Sequence, residues 1–227
     1  MRFVILLFVF FLFACGRVEE VGSLEEFDVP YEKDVFKKTY TYLRQPEGDT
    51  IKHVYIYGDP GDGRYQQNIY TNKVIYTERV FKVKDNRKGL LSKYIYVYNE
   101  IDPTIFEKLR GEIKVYEETE IGHRIKGWRS KISFTNAADQ RTTIEEEGTA
   151  IKDTVLLWED KPINAIKVNY TSSESTVIKH LPFIHLADWE SEEVVYYAEG
   201  IGFIKHTSFE DGIHRETNLI SIEKTRR

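Results

Sequence analysis

The chain has 227 residues, with 32 Lys plus Arg against 37 Asp plus Glu and 41% hydrophobic side chains. That length builds one domain or two small ones, the apolar content is too high for a disordered chain, and a net charge of −5 argues against general binding to the phosphate backbone of nucleic acids, which needs a basic face. From Cys15 onward Val, Ile, Thr, Tyr, Phe and Trp supply 80 residues and Leu plus Ala only 16, a balance that suits a pleated sheet and excludes an all-helical fold.

Met1-Arg2 precedes an apolar run over 3–14. Those 12 residues fall short of the roughly 20 that span a bilayer, so the run reads as a signal peptide. It ends in Leu12-Phe13-Ala14-Cys15, which resembles the bacterial lipobox: an aliphatic residue, a free position, a small residue, then cysteine. Phe13 is bulkier than the usual occupant. The resemblance implies that Cys15 carries thioether-linked diacylglycerol, with cleavage before it and further acylation by a chain such as palmitate, giving a membrane anchor. Gly16 in place of Asp favours the outer membrane. Cys15 is also the single cysteine, so a structural disulfide is not its role. Residues 15–30, with Glu19, Glu20, Glu25, Glu26 and Asp28 beside Gly22, Ser23 and Pro30, read as an acidic tether, with at most a capped turn at Ser23.

The remainder, 31–227, reads as a single antiparallel β domain. Alternating runs predict strands over 35–43, 51–57, 67–83, 93–98, 112–118 and 121–134, then 141–147, 154–158, 165–170, 194–198, 202–207 and 213–222. Turn residues separate most of them, among them Pro46-Glu47-Gly48-Asp49 and Asp211-Gly212. Only 103–110 and 181–190 could hold a short helix. Strands with one apolar face must curl or pack on something. The expected fold class is therefore all-β, a single curved sheet forming a half-barrel or open barrel, with a sandwich as the other solution. The segment Tyr196-Tyr197-Ala198-Glu199-Gly200-Ile201-Gly202-Phe203-Ile204-Lys205 resembles a phrase near the end of many exported bacterial lipoproteins. The resemblance implies the last strands of a curved sheet like that of LolA- and LolB-type carriers. Gly200 and Gly202 suit a tight reversal.

Chemistry is sparse. The chain contains no Gly-rich phosphate loop, nucleophile elbow or His-Glu-x-x-His, and no catalytic residue or cofactor is assigned. His180, His185 and Asp188 have the right types for zinc, but Pro182 and a spacing of five favour a loop packing Leu181, Phe183 and Ile184. With a two-residue turn at Asp211-Gly212, positions summing to 423 pair. His206 then faces Thr217 and His214 faces Phe209, on opposite faces. His53 and His123 sit singly in strands. Asp59, Asp62 and Gly63 read as a plain turn rather than a calcium loop, and Glu145-Glu146-Glu147 as a solvated edge. Tyr40/Tyr42, Tyr55/Tyr57 and Tyr94/Tyr96/Tyr98 form ladders, each on one face. Trp128, Trp158 and Trp189 could frame a groove for a sugar, a lipid tail or a protein.

The reading is a non-enzymatic, lipid-anchored envelope lipoprotein, with the membrane as partner through Cys15 and a lipid or protein partner on its curved sheet. The alternative is a surface hydrolase or glycan-active enzyme using Asp/Glu residues.

Overall fold

The computed structural model describes residues 34–58, 64–71, 74–84, 87–98, 106–121, 124–210 and 212–226. Cys15, the signal run, the tether, His123 and the Asp59–Gly63 turn lie outside the described residues. One sheet contains all thirteen strands: β1 (Val35–Gln45), β2 (Thr50–Tyr57), β3 (Arg64–Thr71), β4 (Val74–Lys84), β5 (Arg87–Tyr98), β6 (Phe106–Arg110), β7 (Glu112–Ile121), β8 (Arg124–Thr135), β9 (Gln140–Trp158), β10 (Lys161–Ile178), β11 (Leu181–Ala198), β12 (Gly202–Glu210) and β13 (Ile213–Arg226).

The order β6-β5-β4-β3-β2-β1-β13-β12-β11-β10-β9-β8-β7 is antiparallel throughout. Apart from the β1–β13 pairing and the break between β6 and β7, each strand neighbours the next in sequence, the pattern expected of an up-and-down barrel. The two ends of the sheet are consecutive in sequence. β6 pairs with β5 and β7 with β8, and the Gly111 N–H between them donates to the Lys93 carbonyl at 2.8 Å. One stretch of chain thus changes partner and brings the sheet nearly to closure as a barrel.

The all-β reading holds, and several details are corrected. The predicted strand over 67–83 is described as two strands, β3 to Thr71 and β4 from Val74, with 72–73 outside the described residues. The strands over 141–147 and 154–158 are one 19-residue strand, β9. Of the two expected short helices, 103–105 lies outside the described residues and 106–110 is β6, while all of 181–190 belongs to β11. Segment 181–190 is rich enough in Leu and Ala to be helical, but pairing with β10 decides its state.

The apolar core lies among β1, β2, β10, β11, β12 and β13. Tyr40 and Tyr42 from β1 pack with Tyr55 and Tyr57 from β2, Ile204 from β12 and Leu219 from β13. Ile166, Val168 and Val195 form a second layer with Trp128, Tyr197 and Phe203. Buried tyrosines need acceptors. Tyr40 donates to the Ile201 carbonyl at 3.0 Å and Tyr42 to the Phe203 carbonyl at 3.1 Å. The first acceptor sits in the Gly-containing reversal between β11 and β12 and the second at the start of β12, with Gly200 at φ +69° and Gly202 at φ +96°.

Candidate functional site

Strand register lays out the interior. Across β2 to β5, Tyr55 pairs with Gln67, Gln67 with Arg79 and Arg79 with Lys93. Across β8 to β11, Ser130 pairs with Glu146, Glu146 with Ser172 and Ser172 with Ser191. Opposed residues share a face, so each row is a polar belt on the inner wall. The belts meet through Glu146. Lys93 Nζ lies 3.1 Å from both its oxygens, Arg79 Nη2 3.2 Å from Oε1, Ser130 Oγ 3.0 Å from Oε2, and Tyr170 donates to Oε1 at 3.1 Å.

The cluster shapes its own ionisation. Burial alone would raise the Glu146 carboxyl, but Lys93 and Arg79 outweigh it and hold it at about 2. Burial, with Arg79 beside it, brings the Lys93 ammonium down to about 8 against the pull of Glu146. Among the described residues neither cation has an ion-pair partner besides Glu146. Above the cluster opens a cavity of about 730 Å³ bounded by Tyr76, Lys93, Asn136, Gln140, Glu146 and Glu174.

His53 sits one step along the β2 wall, its ring 4.7 Å from Tyr42 and stacked at 5.6 Å on Phe203. Its Nδ1 is buried without a hydrogen-bond partner. Burial, assisted by Arg79, pushes its pKa down to about 3 from 6.5. The folded state therefore refuses a proton that the unfolded chain accepts, and stability drains as pH falls from 6.5 towards 3. His53→Phe should flatten the decline in urea midpoint between pH 6.5 and 4.5. An unchanged decline would show that His53 titrates freely in the fold.

The structure separates the residues singled out from sequence. His180 Nε2 reaches Asp139 at 2.6 Å and His185 Nδ1 reaches Asp188 at 3.1 Å, so the two imidazoles serve different carboxylates. The register of the last hairpin is as expected, His206 opposite Thr217 and Phe209 opposite His214, and His206 lies 2.7 Å from Glu193. Trp128 packs between Tyr170 and Tyr197, Trp158 against the core around Tyr40 and Tyr42, and Trp189 is 48% exposed on β11. The expected solvated edge at Glu145–Glu147 is corrected: Glu145 and Glu147 are exposed while Glu146 turns into the barrel. Tyr94 and Tyr96 lie on the opposite face from Lys93, with Lys108 4.3 and 5.5 Å from their rings.

A second feature stands outside the barrel. The ladder between β11 and β12 stops at Glu193 opposite Ser208, whereas β11 continues back to Leu181 against β10. Residues 181–190 are all exposed, including Phe183 at 76% and Leu186 at 47%. Their tip is tied to the β8–β9 turn by the Lys179 N–H, which donates to the Asp139 carbonyl at 2.9 Å.

No family model matches the chain, and no curated protein does. Among solved structures, a candidate lipoprotein from Parabacteroides distasonis is similar at 8% identity and a TM-score of 0.49, over 90% of this chain and 100% of its own. A candidate exported protein with a YmcC-like fold from Bacteroides fragilis is similar at 10% identity and 0.48, over 88% and 100%. Neither likeness is strong enough to assign a family.

Proposed function

We propose that the protein is a lipid-anchored, non-enzymatic lipoprotein of the cell envelope that binds a protein partner at the β10–β11 hairpin of its barrel. The observation that carries this reading is the exposure of Leu181, Phe183, Ile184, Leu186 and Trp189, all within the first nine residues of β11. Large apolar side chains left exposed in number on one short segment mark contact sites. Anchoring rests on the lipobox resemblance at Cys15, and Gly16 favours the outer membrane.

An apolar cargo fits poorly, since entering the cavity would strip water from an ionised Glu146 and two cations. A hydrolase needs a carboxyl group able to carry a proton near neutrality. Glu146, ion-paired to Lys93 and Arg79, is poorly placed for that task. The anchor is tested by Cys15→Ala, which should move the protein from the membrane to the soluble fraction. Unchanged membrane association would contradict lipidation.

A further inference from the structure

We infer that the partner is received as an added β-strand on the free edge of β11, through an extended segment that alternates basic and apolar side chains. This rests on the partner-binding reading above and specifies its chemistry.

A sheet edge presents unpaired N–H and C=O groups, and folds usually blunt long edges with lysines, prolines or bulges. On β11 the register shifts fall at Thr176/Val177 and Val177/Ile178 of the facing strand, and the proline, Pro182, lies at the tip. From Ala187 to Glu192 the ladder against β10 is regular. Among the described residues no strand covers the other side of that stretch. Strand addition is the established way such an edge takes a peptide, with backbone bonds for affinity and alternate side chains for specificity.

The stretch also states what it would accept. Asp188, Glu190 and Glu192 fall on one face, with Ala187 and Trp189 on the other. Glu190 and Glu192 are exposed and make no ion pair among the described residues. Directly opposed side chains interact, and like charges opposed destabilise. A second copy pairing antiparallel through the same edge would set this acidic face against itself. An incoming strand with Lys or Arg on that face and branched aliphatics beside Trp189 meets both.

The test uses the full chain, purified in detergent, and three fluorescein-labelled octapeptides: alternating Lys-Val, alternating Glu-Val, and four Lys followed by four Val. The alternating Lys-Val peptide should bind about tenfold more tightly than either control and protect backbone amides of 187–192 from hydrogen exchange. Glu190→Lys/Glu192→Lys, both on the surface, should reverse the preference towards the Glu-Val peptide without moving the Tm. Equal binding of the block peptide, protection elsewhere, no binding, or a concentration-dependent dimer through this edge would each overturn strand addition. Partner cross-links from the hairpin tip that persist in any of these cases would leave the partner-binding reading standing.

Discussion

Glu146→Ala is expected to lower the unfolding free energy by about 3–5 kcal/mol, because it leaves the buried Lys93 ammonium and the part-buried Arg79 guanidinium without the carboxylate they share. The magnitude follows from the geometry. Lys93 is 4% exposed and Glu146 13%, and the carboxylate accepts from four side chains on four strands. Replacing the triad by apolar residues of similar length, Arg79→Met/Lys93→Met/Glu146→Met, should recover most of the loss, since a buried ion pair is costly to break and not costly to replace. Urea unfolding measures both. A Glu146→Ala loss below 1 kcal/mol would mean that water or another anion already compensates the cations. The same cluster sets an acid limit. A carboxyl held at about 2, below its ordinary 4.5, contributes stability above pH 4.5 and loses it as pH falls towards 2. In the all-Met variant that part of the acid transition should be absent.

Gly148→Val should be nearly as damaging. Even a bare Cβ at Gly148 would stand 2.2 to 2.5 Å from the Trp128 ring, which packs across the β8–β9 ladder where the two residues pair. Trp128 would have to leave its place between Tyr170 and Tyr197. Overpacking of this kind costs about 1–3 kcal/mol, and losing the indole's burial adds to it. The double variant Trp128→Leu/Gly148→Val should be less destabilised than the sum of the single variants by at least about 1 kcal/mol. Additive losses in chemical denaturation would show that the two residues do not compete for the same space.

Much of the scaffold was legible because strand alternation and turn chemistry are local signals. The Asp211-Gly212 turn alone fixed the pairing of His206 with Thr217. The errors came from long-range pairing. Residues 181–190 become strand only because β10 lies beside them, and 141–158 run unbroken because β10 supplies partners along the whole length. The interior cluster was missed for the same reason. Alternation places Glu146 opposite in face to Glu145 and Glu147, but its cations arrive from 53 and 67 residues away. One local hint existed: Lys93 shares a face with Ile95 and Val97, and a lysine on an apolar face needs a buried anion.

The central claim, a membrane-tethered barrel that engages a protein through its β10–β11 hairpin, is tested most directly by photo-cross-linking in cells. A photoreactive residue in place of Phe183 or Trp189 should give a discrete adduct with another protein, one that the same group in place of exposed Ile220 on β13 does not give. Adducts of equal yield at all three positions, or none at the hairpin, would contradict the account.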